Sequence, residues 1–303
     1  MADLGVEICG LRLRNPVIPA AGPNVRDGRR VIRAVQGGAG AALSKTISVD
    51  AAPVPMPHMA EVRGGFINTE LWSELPPERW FAGEFALCRQ AADEAGIPLI
   101  CSLGYSGTEI GQLAPKMNGI ADALELSTHY LGEDPRPMIE AIDAAKQGFH
   151  GPVFVKMSPL GREMRAAAVA ARDAGADGIV ATNSFGPTLG FDVETGFPLL
   201  GGDNSYGWLS GPALKPLSLR CVYDIAATVD LPVIGVGGIS RGLDVVEFVM
   251  AGAWAVGVCT AAIMRGHEVY GKIAEEVGAW LDAHGYASVG QIRGLAQRRR
   301  AVK

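Results

Sequence analysis

Two apolar stretches near the carboxyl end decide the fold: Val233-Ile-Gly-Val-Gly-Gly-Ile-Ser-Arg-Gly-Leu-Asp244 and Ala255-Val-Gly-Val-Cys-Thr-Ala261. Each begins with a short apolar run that contains β-branched residues, which predicts a buried β-strand. Each run then ends in small residues, Gly237 and Gly238 in the first and Thr260 in the second. Successive glycine N–H groups at a strand end can turn towards an anion, because no Cβ stands in the way. The alternative is that the two glycines only form a tight turn.

The rest of the chain repeats this pattern of a strand followed by a helix. Eight apolar runs recur with no break in composition between them: Val17–Ala21, Ala41–Ser44, Leu99–Ser102, Ala123–Ser127, Val153–Val155, Asp177–Thr182, Val233–Val236 and Ala255–Cys259. Strands that alternate with helices at this spacing form a parallel sheet, and eight units favour closure into a barrel. We therefore predict an α/β fold, a (β/α)₈ TIM barrel that forms one domain over residues 1–303.

Three segments fall outside the repeat. The alternating stretch from Val6 to Arg14 turns at Gly10, which predicts a small hairpin below the barrel. Residues 49–77 and 185–211 have no clear period, so they are predicted to be long loops at the carboxyl-terminal face, where long loops often carry function. The last helix is predicted over residues 267–284.

Composition excludes several classes of protein. The 303 residues are 48% hydrophobic and 19% charged, which is typical of a folded globular protein. The net charge of −5 argues against binding to nucleic acid or to an anionic membrane surface. No apolar run reaches about 18 residues, and no secretory signal is recognised. Five scattered cysteines without a C-x-x-C pair predict free thiols in the cytoplasm and no metal site.

Polar residues at the predicted strand ends mark a candidate site, because chemistry in such barrels occurs at the carboxyl ends of the strands. Lys45 and Lys156 directly follow apolar strand residues, so each stem would be buried with its charge facing a ligand. Together with Gly237 and Gly238, they indicate an anionic cofactor. Either lysine alone could instead reach solvent from a helix start or form a Schiff base, as in aldolases. Asn183 either binds a planar ligand or fixes its own loop.

The order and spacing of several motifs resemble the dihydroorotate dehydrogenase family and the flavin domain of dihydropyrimidine dehydrogenase. The motifs extend over nearly the whole chain: Arg14-Asn-Pro-Val17, Ala21-Gly-Pro23, Ser44-Lys-Thr46, Phe154-Val-Lys156, Ala176–Asn183, Leu209–Leu217 and Gly235–Ile239. The stretch from Phe66 to Glu70 is more similar to the dihydropyrimidine dehydrogenase branch.

This resemblance implies a barrel that binds FMN and transfers hydride between the flavin and a substrate carbon. It implies that cofactor contacts come from Ala21, Gly22, Lys45, Lys156, Gly211, Gly237, Gly238, Cys259 and Thr260. The charge of Lys156 would stabilise the negative charge of the reduced cofactor. The resemblance also implies that the substrate contacts are Asn68, Ser127, Asn183 and Ser184.

One motif departs from the pattern of the family. Members usually carry Asn-Leu-Ser-Cys-Pro-Asn after Glu-Leu, with a Cys or Ser acid/base, whereas this chain reads Glu125-Leu-Ser-Thr-His-Tyr-Leu-Gly132. Ser127 therefore stands where the first asparagine is usual, and Tyr130 stands where the acid/base is usual. We predict Tyr130 as the proton donor or acceptor, with His129 as the alternative, and a substrate other than dihydroorotate or uracil. A tyrosine of pKa near 10 is a better acid than base at neutral pH, which favours reduction of an activated C=C bond.

The sequence thus predicts an FMN-dependent oxidoreductase that acts on the CH–CH or C=C bond of a small, cyclic, conjugated carbonyl or amide. One alternative is dihydroorotate or dihydropyrimidine dehydrogenase proper. Another is a lyase or aldolase without flavin that uses Lys45 or Lys156. A third is a flavin subunit that is non-catalytic or depends on a partner. Because no nicotinamide-binding domain is recognised, electrons are predicted to come from a separate electron-transfer subunit, a soluble acceptor or NAD(P)H. A homodimer is predicted from the resemblance.

Overall fold

The computed structural model describes residues 1–128 and 134–300. In chain order the strands are β1 Val6–Ile8, β2 Leu11–Leu13, β3 Val17–Pro19, β4 Ala42–Leu43, β5 Met59–Val62, β6 Gly65–Asn68, β7 Leu99–Leu103, β8 Ala123–Ser127, β9 Val153–Met157, β10 Gly178–Ala181, β11 Phe185–Thr188, β12 Gly207–Ser210, β13 Val233–Val236 and β14 Ala255–Val258. The helices are α1 Gly28–Gln36, α2 Pro77–Arg79, α3 Phe85–Ala95, α4 Gly107–Leu113, α5 Arg136–Gly148, α6 Met164–Asp173, α7 Lys215–Ala226, α8 Gly242–Ala251, α9 Thr260–Arg265, α10 Val269–Ala283, α11 Val289–Ile292 and α12 Leu295–Arg300.

Eight parallel strands form a nearly closed barrel in the order β3-β14-β13-β10-β9-β8-β7-β4, and the end strands β3 and β4 lie beside each other. These are the eight predicted strands, so the predicted (β/α)₈ TIM barrel is confirmed. The register pairs Ser127 with Lys156 and Val236 with Gly257. Polar residues that follow separate apolar runs in the sequence therefore meet at one end of the barrel.

Helices cover the barrel because the strands are apolar on both faces, as expected for a parallel sheet. Every residue of β8, β9 and β13 is buried. Large side chains need small neighbours in this interior: a Cβ on Gly178 would lie 2.5 Å from the ring of Phe154, and one on Gly235 would lie 2.4 Å from the ring of Phe248. The barrel is thus a packed core, and buried polar residues such as Lys45, Ser127 and Lys156 lie near the strand ends that form the site.

The predicted amino-terminal hairpin is confirmed. β1 and β2 pair antiparallel, with Val6 opposite Leu13. The turn places Cys9 at φ 49° and Gly10 at φ 80°. The Cys9 thiol donates to the carbonyl oxygen of Asp177 at 3.3 Å. Because Asp177 directly precedes β10, the hairpin lies at the amino-terminal end of the barrel strands, away from the predicted site.

The two segments predicted as long loops contain strands that the sequence analysis did not predict. Residues 49–77 contain β5 and β6, residues 185–211 contain β11 and β12, and these four strands form an antiparallel sheet in the order β11-β12-β6-β5. In the pairing of β6 with β12, Trp208 lies opposite Asn68 and Ser210 lies opposite Phe66. β5 and β6 pair as a local hairpin, whereas β12 pairs with β6 across about 140 residues, so no local pattern predicts that second pairing.

The carboxyl-terminal prediction also needs correction, since α11 and α12 follow the helix that was predicted to be the last.

In the part of the chain that the structure describes, no helix combines the length and the apolarity that crossing a membrane requires.

Candidate functional site

One cavity opens at the carboxyl end of the barrel strands, with an open volume of about 1030 Å³. Barrel strand ends form its floor, and residues of the four-stranded sheet, among them Asn68 and Trp208, also line it. Every predicted site residue in the described ranges lines this cavity: Ala21, Gly22, Lys45, Asn68, Ser127, Lys156, Asn183, Ser184, Gly211, Gly237, Gly238, Cys259 and Thr260. The barrel therefore brings together residues that are up to 239 positions apart in the sequence.

The end of β13 has a backbone that only glycine accommodates. Gly237 has φ 121° and Gly238 has φ 80°. A Cβ on Gly237 would lie 2.1 Å from the hydroxyl of Ser218, and one on Gly238 would lie 2.6 Å from the backbone nitrogen of Lys215. The strand end thus packs closely against the start of α7 and leaves no room for a side chain of its own, and its backbone forms part of the cavity wall.

Lys45 lies under the sheet that caps the barrel, with 5% of its side chain exposed. Its ammonium donates to Glu70 Oε2 at 2.5 Å. The other carboxylate oxygen, Glu70 Oε1, lies 3.2 Å from His58 Nε2. Glu70 also lines the cavity. The pair brings opposite charges from the barrel and from the added sheet into contact at the ligand space.

Lys156 forms a second buried pair at the end of β9. Its ammonium lies 3.5 Å from Glu125 Oε1, and about 5% of each side chain is exposed. The same oxygen lies 3.4 Å from the Ser102 hydroxyl, which lies 2.8 Å from the Thr46 hydroxyl. Buried charges are stable only with such partners. The network holds one ammonium at the cavity floor and compensates its charge from below.

Neutral hydrogen-bonding groups lie beside these pairs. The Asn68 amide donates to the Trp208 carbonyl at 2.9 Å and accepts from the Glu70 N–H at 3.2 Å. The Asn183 backbone N–H donates to the Met157 carbonyl at 2.8 Å, and its side-chain oxygen accepts from the Ser184 N–H at 3.0 Å. A side-chain amide has two N–H donors and two acceptor lone pairs, so both side chains keep hydrogen-bonding capacity for a ligand.

The thiol of Cys259, directly after β14, lies at the floor of the cavity. Cys259 Sγ donates to Asn24 Oδ1 at 3.0 Å, and the Asn24 amide donates to the Tyr270 hydroxyl at 2.9 Å. A Cβ on Gly22 would lie 2.7 Å from this sulfur, so the first strand end has no room for a side chain there. Burial raises the pKa of Cys259 to about 11, although Lys156 and Lys45 lower it. The group is therefore a neutral thiol at physiological pH.

Comparison with known proteins identifies the family. The family model described as dihydroorotate dehydrogenase matches residues 112–281. The dihydroorotate dehydrogenase B (NAD(+)) catalytic subunit of Methanothermobacter thermautotrophicus is 37% identical, with 97% of this chain and 98% of that protein covered. The proteins of the same name from Pyrococcus abyssi and Methanocella arvoryzae are 35% and 36% identical, over 97% and 95% of this chain and 99% and 96% of theirs. The chain belongs to the dihydroorotate dehydrogenase family.

Membership confirms the predicted enzyme class and cofactor: the chain is an FMN-dependent oxidoreductase that acts on a CH–CH bond. The cavity fits this cofactor. Its wall combines the glycine strand end of β13 with two lysines. Backbone N–H groups and ammonium groups of this kind can donate hydrogen bonds to a phosphate and to a ring that gains negative charge. The similarity to dihydropyrimidine dehydrogenase stays a prediction.

Two predicted catalytic residues, His129 and Tyr130, lie outside the described residues, and the third, Lys156, is at the cavity floor.

Sequence reasoning missed Glu70, Trp208 and Tyr105, which also line the cavity. Glu70 could have been found, because it lies two residues after the predicted ligand Asn68. Nothing local marks the two aromatic residues, which only the folded loops bring to the mouth. Burial, followed by the charge of Glu109, raises the pKa of Tyr105 to about 12.

Proposed function

We propose that this member of the dihydroorotate dehydrogenase family transfers hydride between FMN and a carbon of a small, planar, cyclic carbonyl or amide. One observation carries the proposal: a single cavity holds a glycine strand end, two buried lysines and a set of neutral amides and hydroxyls. The first two suit an anionic cofactor, and the third suits a planar polar ring.

The residues divide into two groups in this proposal. Gly211, Gly237, Gly238, Cys259 and Thr260 approach the cofactor phosphate and its surroundings, and Ala21 and Gly22 line the flavin. Lys45 lies near the ring and the ribityl chain. FMN supplies hydride transfer when it is bound. The task of Lys156 is to keep a positive charge beside the ring edge where negative charge develops.

Asn68, Ser127, Asn183 and Ser184 hold the substrate in the second group, all through uncharged side chains. Tyr130, with His129 as the alternative, moves the proton at the carbon next to the one that exchanges hydride. Because Tyr130 and Ser127 replace the usual residues of the family motif, we propose that the substrate differs from dihydroorotate. The names of the relatives support the alternative, dihydroorotate dehydrogenase proper.

The names of those relatives as NAD(+)-dependent catalytic subunits also support a partner. We propose that electrons pass between this chain and a separate electron-transfer subunit, with direct exchange with NAD(P)H as the alternative. The homodimer and the cytoplasmic location stay predictions. A matched assay of the purified chain with and without a flavin reductase distinguishes the two electron routes.

The first experiment is the visible absorption spectrum of the purified protein, with chromatography of the compound that heat releases. We expect one FMN for each chain, and then reoxidation of the reduced enzyme by one member of a panel of cyclic enones, enamides and dihydroorotate-related rings. Reoxidation by orotate alone would favour the alternative. A colourless protein that takes up no FMN, and that borohydride links to a carbonyl substrate, would replace the proposal with a lysine-dependent lyase.

A further inference from the structure

Glu70 brings a negative charge to the ligand space, at a position next to the proposed substrate contacts. It follows Asn68 by two residues, and its backbone N–H donates to the Asn68 side-chain oxygen at 3.2 Å. Both residues line the cavity. With 13% of its side chain exposed, the carboxylate is largely shielded from water. Its position relative to Asn68 is therefore set by a direct hydrogen bond, and its charge acts through a medium that screens weakly.

The charged groups that line the cavity offer little net attraction to an anionic substrate. Among the described lining residues, the charged ones are Lys45, Lys156 and Glu70. Lys45 donates to Glu70 at 2.5 Å, and Lys156 lies 3.5 Å from Glu125. Each lysine thus already has a carboxylate partner. A carboxylate on the substrate would lose its hydration, would compete for a neutralised ammonium and would meet the like charge of Glu70.

A ring N–H of the substrate, unlike a carboxylate, could donate a hydrogen bond to Glu70. A carboxylate has about four lone-pair sites, and Lys45 and His58 approach one oxygen each. Glu70 therefore keeps acceptor capacity towards the cavity. Asn68 and Asn183 add donors and acceptors without charge, so the polar groups on the substrate side match an uncharged ring that carries both N–H and C=O groups.

On the basis of the proposed function, we infer that Glu70 is a specificity-determining residue that selects uncharged cyclic amides or imides and rejects the same rings bearing a carboxylate. The pair with Lys45 produces this selection, because the ammonium that could bind a substrate carboxylate is already bound by Glu70. Replacing Glu70 by a neutral isostere should release the ammonium and remove the preference.

The test uses the full chain loaded with FMN and measures ligand binding from the change in flavin absorbance, without turnover. The probes are two matched pairs, uracil with orotate and 2-pyridone with 2-pyridone-6-carboxylate. We expect the wild-type protein to bind the neutral member of each pair about tenfold more tightly, and Glu70→Gln to shift the ratio about tenfold towards the carboxylate. Glu61→Gln, an exposed position on β5 of the same sheet, is the control and should leave the ratio unchanged.

A general loosening of the site would weaken both members of a pair equally, so only a change in the ratio supports the inference. An unchanged ratio in Glu70→Gln, or wild-type protein that binds neither member or prefers the carboxylates, overturns it. These results leave the proposed function standing as long as FMN is bound. A chain that binds no FMN overturns both.

Discussion

Lys156 and Glu125 form an ion pair about 95% buried on each side, and this burial makes the pair sensitive to the loss of one partner. Lys156→Met leaves the Glu125 carboxylate buried without a cation. Removing one member of a buried pair typically costs about 3–5 kcal/mol. We therefore expect the free energy of unfolding, measured by urea denaturation, to fall by about 3 kcal/mol.

The double variant Lys156→Met/Glu125→Gln is the control, because it removes both charges. It should recover most of the lost stability, since no unpaired charge remains. Turnover should stay low, because the positive charge proposed to act beside the cofactor is absent. A double variant as unstable as the single one would show that the lysine stabilises the barrel by packing.

Tyr130 is assigned from sequence, in the segment outside the described residues. Tyr130→Phe removes only the hydroxyl, so FMN content should be unchanged while turnover falls by about 100-fold or more, the usual contribution of a general acid or base. Steady-state kinetics with the substrate found in the panel measures the effect. His129→Gln is the matched variant, and a loss confined to it would transfer the role to His129.

The rate at which the Cys259 thiol is alkylated should depend strongly on pH. Burial raises the pKa of this thiol from 9.0 to about 11, so the reactive thiolate is scarcer at every pH below that value. At pH 8 the shift lowers the thiolate fraction by about 100-fold. We expect slow alkylation by iodoacetamide at pH 8, rising about tenfold for each pH unit towards pH 10.

The half-buried Cys9 of the hairpin, outside the cavity, is the internal reference in this experiment. Peptide mapping by mass spectrometry follows the two thiols separately. FMN should protect Cys259 and leave Cys9 unaffected. Equal protection of both would mean that the cofactor acts through overall stability and does not cover Cys259.

At the scale of elements, the end of β13 depends on two glycines, and the chain offers a matched comparison. Gly238 and Gly119 have nearly the same φ, 80° and 79°. A Cβ would lie 2.6 Å from the Lys215 backbone at Gly238 but would contact nothing within 4 Å at Gly119. Gly119→Ala therefore measures the backbone cost alone, about 1 kcal/mol.

Gly238→Ala should cost more than this in urea denaturation, because β13 and α7 must move apart. It should also lower the FMN content of the purified protein, since we propose that this strand end contacts the cofactor. Full FMN content in Gly238→Ala, with the same stability loss as Gly119→Ala, would contradict the close packing of this strand end on α7.

The eight barrel strands could be predicted from local sequence, whereas the four strands of the second sheet could not. A strand such as Val233–Val236 is buried on both faces, so it is an uninterrupted apolar run. Strand β11, in contrast, contains Pro187 and is largely exposed. Its partner β12 lies 19 residues further on, and β12 itself pairs with β6 across about 140 residues. β11 and β12 exist because hydrogen bonds form with distant partners, and no local pattern encodes these two strands.

At the scale of the whole molecule, cofactor binding should raise stability. A ligand that binds only the folded state at 100 times its Kd adds about 2.7 kcal/mol. For a chain of this size we expect FMN to raise the Tm by roughly 5 °C or more in a thermal scan at fixed rate. Riboflavin, which lacks the phosphate, is the control and should raise it less.

An equal shift with riboflavin would mean that the glycine strand end and its neighbours do not hold the phosphate. A smaller shift in Gly238→Ala with FMN, but not with riboflavin, would connect the phosphate to that strand end directly.

The amino-acid sequence by itself determined the barrel, the family and the strand-end residues of the site, because buried parallel strands, turn glycines and short motifs are local signals. Only the tertiary structure decided that Lys45 pairs with Glu70, that Lys156 pairs with Glu125, and that a second sheet closes over the cavity. The two ion pairs join residues 25 or more positions apart, and their strength depends on burial. Burial is a property of the folded chain, and no stretch of sequence contains it.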